Sequence, residues 1–157
     1  MNLKSFVMHN YTLTSLALLG GILLAVQGGF NSQLSTTLKS PIHASLVSFS
    51  ISTILAALTI LMSSKRLPST ELLHSVPGHL WFSGALFSFI GICLYYYTIP
   101  RLGISTMISL GLTGQLIISI IAGHFGWFGL PMEPVTIKRI IGAIAMIIGI
   151  ILINHQK

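Results

Sequence analysis

The chain has 157 residues, of which 53% are hydrophobic and only 6% are charged. A soluble globular domain carries about 25% charged residues, so this composition, with a mean hydropathy of +0.89, excludes a water-soluble protein and indicates an integral membrane protein. The net charge of +6 would suit nucleic-acid binding, but the basic residues stand singly or in pairs at the ends of apolar runs, where they set membrane topology instead.

Five apolar segments follow one another, each near the roughly 20 residues that a spanning helix needs. We predict transmembrane helices at residues 13–38, 42–63, 80–99, 103–123 and 137–154. The breaks between them are short and rich in proline, glycine and serine, which leaves no room for a soluble domain. The sequence therefore predicts an all-α membrane protein in which residues 1–157 form a single transmembrane domain in contact with the lipid bilayer.

An odd number of spans places the two ends of the chain on opposite sides of the membrane. One side would carry the basic residues Lys4, Lys65, Arg66, Lys138 and Arg139, and the other Lys39, Arg101 and Lys157. Basic residues favour the cytoplasmic side, so this balance favours a cytoplasmic N-terminus. The bias is weak, as expected for a chain that inserts in both orientations and pairs with an inverted copy of itself.

Small residues recur at helical spacing in every segment, most clearly in the first and the fifth. Helices in lipid associate through close backbone approach, which small residues permit. We therefore assign to helix packing the residues Gly21, Ala25 and Gly29 in the first segment and Gly142, Ala145 and Gly149 in the fifth. The apolar fifth segment is better suited to packing and dimer contact than to lining a polar path.

Polar side chains interrupt the first, third and fourth segments. Gln27 and Asn31 are four residues apart and share one face of a helix, whereas Gln33 points nearly the opposite way. Tyr95 and Gln115 project from small-residue faces of the third and fourth segments. If Gln27, Asn31, Tyr95 and Gln115 converge, their amides and phenol can hydrogen-bond a small polar solute. The alternative is that each side chain joins helices through hydrogen bonds.

No charged residue falls in the middle of a predicted span. Many proton-coupled exporters of organic cations depend on a buried carboxylate, so we expect permanent organic cations to bind weakly here. His43 and His124, near the ends of the second and fourth segments, are the candidates for a proton-linked role. An ordinary interfacial donor is the alternative for both.

The sequence offers no pattern typical of an enzyme. It contains no metal-ligand spacing, no carboxylate pair, no nucleophile with a plausible base and no phosphate-binding glycine loop. The single cysteine, Cys93, cannot form an intrachain disulfide. We therefore expect no enzymatic activity, no cofactor and no metal.

Four stretches carry a resemblance to a known family. They are the run GGILLAVQGGFNSQLS, the junction Pro100-Arg101-Leu102-Gly103, the stretch TGQLIISIIAGHFGWFGLP and the closing RIIGAIAMIIGIILI. Together they resemble the bacterial YdcZ-type proteins, which are five-helix, half-length members of the drug/metabolite transporter superfamily. The family pattern usually has an aspartate before the histidine-aromatic-glycine run, where this chain has Gly123, so the resemblance does not imply proton coupling through that acid.

Full-length members of the superfamily resemble two five-helix halves fused in opposite orientations. The resemblance therefore implies one half of a 5+5 inverted-repeat fold, assembled as an antiparallel homodimer with its substrate path at the repeat interface. It implies an inner-membrane transporter that moves a small polar or amphipathic solute by alternating access between its first four segments. One alternative is a small multidrug-type exporter, which needs an intramembrane glutamate that is absent here. The other is a non-transporting membrane scaffold or accessory subunit.

Overall fold

The computed structural model describes residues 3–63 and 67–155, with side chains from residue 11 onward. These residues form helices, turns and loops, without a β-strand among them. The helices are α1 (Leu3–Thr37), α2 (Pro41–Met62), α3 (Thr70–Ser75), α4 (Ser83–Leu102), α5 (Ile104–Phe125) and α6 (Ile137–Asn154). Short 3-10 helices precede α4 at Gly78–Trp81 and follow α5 at Trp127–Gly129.

Five helical stretches are long and apolar enough to cross a membrane, which confirms the predicted number of spans and the all-α fold class. They are Tyr11–Thr37, Pro41–Met62, Gly78–Leu102, Ile104–Phe125 and Ile137–Asn154. The third span runs past its expected end at residue 99, because α4 continues through Pro100 to Leu102. Pro100 lacks the N–H that an α-helix would bond to the carbonyl of Tyr96, and α4 ends two residues later.

The chain divides into two compact units, with the boundary between Arg101 and Leu102. The N-terminal unit contains α1, α2, α3 and nearly all of α4, and the C-terminal unit contains α5 and α6. The single transmembrane domain expected from the sequence stays a prediction. Of the residues used to predict orientation, Lys65, Arg66 and Lys157 lie outside the described residues, and Lys4 lies where the backbone alone is described.

A tight turn joins α1 to α2. The backbone N–H of Ser40 donates to the Ser35 carbonyl at 3.0 Å and that of Lys39 to the Thr36 carbonyl at 3.2 Å, the pattern of a Schellman motif with Lys39 in the left-handed region (φ 53°). Ser40 then caps α2 by accepting the N–H of His43 at 3.3 Å, with Pro41 as its first residue. This turn makes α1 and α2 antiparallel neighbours with a defined register.

Small side chains fill the seam between α1 and α2. Ser32 and Ser35 on α1 are buried, as are Ala44 and Ser45 on α2. The hydroxyls of Ser32 and Ser45 donate to carbonyls of their own helices at 2.9 Å each, so they add no unpaired donor to the seam. Small size lets the two backbones approach, and self-pairing removes the cost of burying the hydroxyls.

The C-terminal unit is a pair of helices with a folded connection. Gly126 ends α5 in the left-handed conformation (φ 62°), and the chain returns through residues 130–136 against the last turn of α5. The backbone N–H of Glu133 donates to the Gly123 carbonyl at 2.8 Å. Thr136 then caps α6 by accepting the N–H of Arg139 at 3.3 Å. The connection is therefore hydrogen-bonded to both helices.

Large apolar side chains are mostly exposed in both units. In a chain that crosses a bilayer, lipid or another protein surface covers such side chains. Among the described residues, the largest fully buried side chains are Tyr96 and Ser45. The buried side chains of the N-terminal unit are therefore mainly hydroxyl-bearing groups between helices rather than a large apolar core.

Candidate functional site

Four side chains from three helices form a hydrogen-bonded polar cluster in the N-terminal unit. Gln27 Nε2 on α1 donates to the Tyr96 hydroxyl on α4 at 3.3 Å. The Tyr96 hydroxyl donates to Ser48 Oγ on α2 at 3.4 Å. Asn31 Nδ2, one turn after Gln27, donates to the same Ser48 Oγ at 3.3 Å. We call Gln27, Asn31, Ser48 and Tyr96 the polar cluster.

The turn between α1 and α2 explains why Asn31 meets Ser48. Asn31 precedes Lys39 by eight residues and Ser48 follows Ser40 by eight, so the two lie level on antiparallel helices of equal rise per residue. Gln27 is four residues before Asn31 and therefore lies on the same face. The helical hairpin formed by α1 and α2 thus positions two amides and one hydroxyl independently of α4.

Helix α4 completes the cluster from a second direction. Its side facing the hairpin is formed by Cys93, Tyr96 and Ile99, which are spaced by three residues. Ser45 Oγ lies 3.3 Å from Cys93 Sγ, and a Cβ on Gly28 would lie 3.5 Å from Ile99 Cδ1. Tyr96 itself is only 1% exposed. Contacts on both sides along α4 therefore hold the Tyr96 ring between the helices.

The polar cluster lies at membrane depth. At a rise of about 1.5 Å per residue, Asn31, Ser48 and Tyr96 lie about 9 to 11 Å inward from the nearest ends of their helices, and Gln27 lies about 15 Å inward. Half the thickness of a typical hydrocarbon core is also about 15 Å. Gln27 is therefore close to the membrane midplane, and the other three lie toward the side that carries Lys39 and Arg101.

The chemistry of the cluster is neutral. It contains two amides and two hydroxyls, and the only acidic residues of the chain, Glu71 and Glu133, lie outside the five spans. Among the described residues there is also no group of three or more histidine, cysteine or acidic side chains that could hold a metal. The groups that the polar cluster offers are therefore neutral hydrogen-bond donors and acceptors.

The structure brings together two of the four side chains that the sequence predicts at a binding site. Gln27 and Asn31 belong to the polar cluster, but the phenol in it is that of Tyr96. Tyr95 is half-buried beside the cluster. The small residues of α4 predicted Tyr95 rather than Tyr96. The three-residue spacing of Cys93, Tyr96 and Ile99 was the signal that marks the face of α4 in contact with α1 and α2.

Gln115 lies in the C-terminal unit, where its exposed side chain lines an open groove of about 610 Å³. We call this the C-terminal groove. Its walls are formed by Gly114, Gln115, Ile118, Ser119, Ala122 and Gly123 of α5 and by Phe128, Leu130, Pro131 and Glu133 of the connection. Most of these side chains are apolar, with one amide, one hydroxyl and one carboxylate among them.

Glu133 interacts with both helices of the C-terminal unit. A Cβ on Gly123 would lie 3.7 Å from Glu133 Cβ, so a side chain at position 123 would touch Glu133. The Glu133 carboxylate forms an ion pair with Arg139, whose guanidinium also donates to the Glu133 backbone carbonyl at 3.2 Å. The carboxylate at the rim of the C-terminal groove is thus already paired within the chain.

The two histidines predicted to have a proton-linked role lie at helix ends. His43 is exposed in the first turn of α2. His124 is exposed in the last turn of α5, with its ring against Phe125 at a centroid distance of 5.0 Å. Both are placed where a proton could be exchanged with water, and their proton-linked role stays a prediction.

The small residues assigned to helix packing have varied surroundings. Gly21 is exposed, and a Cβ there would meet nothing within 4 Å. The same holds for a Cβ at Gly142 or Gly149 on α6. Ala25 and Gly29 are half-buried and Ala145 is exposed. Within the described chain, Gly21, Gly142 and Gly149 are therefore open to a further surface.

Comparison with known proteins identifies one family. The model of the family DMT_YdcZ, described as "Putative inner membrane exporter, YdcZ", matches residues 12–152, which include all five spans nearly in full. No curated protein and no solved structure matches the chain significantly.

Proposed function

Because the chain belongs to the YdcZ family of inner-membrane exporters, we propose that it is one protomer of an alternating-access transporter for a small polar or amphipathic solute. The family supports a multi-pass inner-membrane transporter, and the five apolar helices fit a half-length member. The solute class, the access mechanism and the antiparallel homodimer are the parts that we propose.

The observation that carries the proposal is the polar cluster itself. Amides and hydroxyls within the hydrocarbon core cost free energy unless they are paired or face a polar space. Here three spans converge on Gln27, Asn31, Ser48 and Tyr96 at a depth between the surface and the midplane. Hydrogen bonds between helices contribute on average only about 0.6 kcal/mol each in membranes. We propose that the same side chains that join the three helices also bind the solute.

The position of the cluster also supports an inverted partner. In one chain the cluster lies toward the side of Lys39 and Arg101, with Gln27 near the midplane. An antiparallel copy would contribute its own cluster toward the other side, so the pair would offer equivalent groups to solutes from either side. The weak asymmetry of basic residues fits a chain that inserts both ways. The open glycine positions of α6, Gly142 and Gly149, are suited to contact between protomers.

Flux measured with this chain alone tests the transporter proposal. The purified protein is reconstituted into liposomes loaded with a bacterial metabolite extract, and solutes released on dilution are identified by mass spectrometry against protein-free liposomes. We expect at least one small polar solute to leave faster when the protein is present. Release that is identical for every solute would favour a non-transporting scaffold or accessory subunit.

Labelling from outside the cell tests the antiparallel arrangement. Single cysteines are placed near either end of the chain, at Asn10 or at the exposed His155, in a Cys93→Ser background that removes the native thiol. For a dual-topology protein, both positions react partly with a membrane-impermeant maleimide in intact spheroplasts. Complete labelling of one position and none of the other would show a fixed orientation and remove the antiparallel homodimer.

The histidines provide a further part of the proposal. If an ion gradient drives transport, we propose His43 and His124, near the ends of the second and fourth spans, as the coupling groups. Replacing both by glutamine should abolish stimulation by a pH gradient while leaving exchange at equal pH intact. Stimulation that survives in the double variant would exclude the histidines as the coupling groups.

A further inference from the structure

The C-terminal groove has a single charged side chain in its lining, that of Glu133. The guanidinium paired with it, that of Arg139, does not line this groove. Arg139 lines a neighbouring groove of about 350 Å³ formed by α5 and α6, and Glu133 lines that one as well. The ion pair therefore presents its carboxylate alone to the C-terminal groove and both of its charges to the neighbouring groove.

The backbone holds Glu133 at the end of a span. Its N–H donates to the Gly123 carbonyl at 2.8 Å, in the last turn of α5, which ends at Phe125. The weak binding of organic cations expected from the sequence depended on spans that carry no acid in their middle. The fold brings an acid to α5 from the connection, and the Glu133 side chain is 59% exposed there, so a ligand can reach it.

The C-terminal groove runs inward from this carboxylate. Its lining on α5 extends from Gly123 back to Gly114, which is about 14 Å at a rise of about 1.5 Å per residue. Half the thickness of a typical hydrocarbon core is about 15 Å. The walls along this length include Ile118, Leu130 and Pro131. A charge at the surface end and apolar walls toward the midplane match a molecule with a charged head and an apolar body.

The side chains of the groove favour a cationic head. The ion pair uses Glu133 Oε2, and the second carboxylate oxygen lies outside the pair. Phe128, which is 81% exposed, lines the same groove, and the face of an aromatic ring attracts cations. An anionic head would be repelled by the carboxylate, because Arg139 is not part of this lining.

Arg139 can release the carboxylate and stay in place. Its guanidinium also donates to the Glu133 backbone carbonyl at 3.2 Å, and its backbone N–H donates to Thr136 Oγ1 at 3.3 Å. The side chains of Arg139 and Glu133 are 43% and 59% exposed, and ion pairs at such exposure contribute little to stability. A cation in the C-terminal groove therefore competes with Arg139 for the carboxylate without disrupting the start of α6.

We infer that the C-terminal groove is a binding site for amphipathic organic cations. Glu133 is its anionic group, and Arg139 is the intramolecular cation that a ligand displaces. The head of the ligand lies at Glu133, and its apolar body follows α5 toward Gln115. This site is distinct from the neutral polar cluster, and the inference goes beyond the proposed transport function, because binding to the groove is measured without transport.

Two probes of opposite charge test the sign of the site. Hexyltrimethylammonium and hexanesulfonate share a six-carbon chain and carry tetrahedral heads of opposite charge. Their dissociation constants are measured by NMR titration of the full chain in nanodiscs of zwitterionic lipid, with empty nanodiscs of the same lipid as the blank. Physiological salt screens the distant charges of the protein. A partly exposed ion pair corresponds to about fivefold in affinity, so the cation should bind at least about fivefold more tightly than the sulfonate.

Two variants that break the same ion pair should act in opposite directions. Glu133→Gln removes the anionic group and should weaken binding of the cation about fivefold, whereas Arg139→Gln removes the competitor and should strengthen it about threefold. Glu71→Gln and Lys138→Gln are the matched controls, because they change the net charge equally and neither residue lines the groove. A role in folding alone would shift the affinity of both pair variants in the same direction.

Opposite shifts in the two pair variants are the result that supports the inference, provided that Arg139→Gln strengthens binding more than Lys138→Gln does. The inference is overturned by tighter binding of the sulfonate, by weaker binding of the cation in both pair variants, or by equal binding in Arg139→Gln and Lys138→Gln. Binding of the cation that does not exceed the blank overturns it as well. Metabolite release from liposomes is a separate measurement, so the transport proposal and this binding site can fail independently.

Discussion

The polar cluster of the N-terminal unit and the C-terminal groove show two ways in which a membrane chain can carry amide groups. In the cluster, the nitrogens of Gln27 and Asn31 are bonded to hydroxyls from two other helices. In the groove, Gln115 is exposed among mostly apolar walls. The carboxylate that lines the same groove, that of Glu133, is paired with Arg139.

The two regions differ in how their polar side chains are held. The cluster joins side chains of three helices within one chain, so its arrangement does not depend on a partner. The C-terminal groove contains an exposed amide whose orientation no hydrogen bond fixes, so the role of the groove depends on which molecule occupies it. Four variants test this comparison, taken from the largest expected effect to the smallest.

Removing both amides of the cluster should have the largest effect. In the double variant Gln27→Leu and Asn31→Leu, two hydrogen bonds to the solute are lost at about 1.4 kcal/mol each, so exchange should fall roughly 100-fold. The measurement is the initial rate of metabolite exchange in proteoliposomes. Gln33→Leu is the control, because its exposed side chain lies on α1 outside the cluster. An exchange rate of the double variant within threefold of the wild-type rate would show that the cluster serves helix packing and not solute binding.

Disturbing the turn that ends α5 should come next. Gly126 has a φ of 62°, and a Cβ there would lie 2.7 Å from Met132 Cγ. Gly126→Ala should therefore lower the free energy of unfolding by about 2 kcal/mol, from backbone strain and the clash together. Gly129→Ala is matched in backbone (φ 71°) but meets nothing within 4 Å, and should cost about 1 kcal/mol. Unfolding in SDS titrations measures both, and equal losses would show that Met132 adjusts freely.

Replacing the groove amide should have a moderate effect. If the C-terminal groove takes part in solute binding, Gln115→Leu removes one hydrogen bond and lowers exchange about tenfold. Ile117→Ala is the control, since Ile117 points to the other side of α5 and does not line the groove. Exchange that is unchanged in Gln115→Leu would show that a partner chain or lipid, rather than solute, occupies the groove.

Opening the ion pair should have the smallest effect. The side chains of Arg139 and Glu133 are 43% and 59% exposed, and such pairs contribute about 0 to 1 kcal/mol. Arg139→Gln should therefore lower the free energy of unfolding by less than about 1 kcal/mol, and the difference should shrink as salt is added. Lys138→Gln removes the neighbouring charge as the control. A loss that is large and insensitive to salt would mean that this pair is shielded from water in the assembled protein.

Hydropathy was sufficient to predict the five spans, because an apolar run of about 20 residues has few alternatives to crossing the membrane. Gln27 and Asn31 could be assigned to one face from their spacing alone. The choice between Tyr95 and Tyr96 could not be made in this way, since three consecutive tyrosines point in three directions. The rotation of α4 depends on its contacts with α1 and α2, such as that of Ile99 with Gly28, and these arise only from tertiary packing.

The turn between α1 and α2 also bears on how the candidate site is assembled during synthesis. The bond between Asn31 and Ser48 spans 17 residues, whereas those from Tyr96 span 48 residues to Ser48 and 69 to Gln27. Closing a longer loop costs more chain entropy, and α4 leaves the ribosome last of the three. We therefore expect the Asn31 amide to be oriented as soon as the first hairpin is inserted. Gln27 stays free to rotate until Tyr96 arrives, so the two amides of a nascent chain become oriented one after the other.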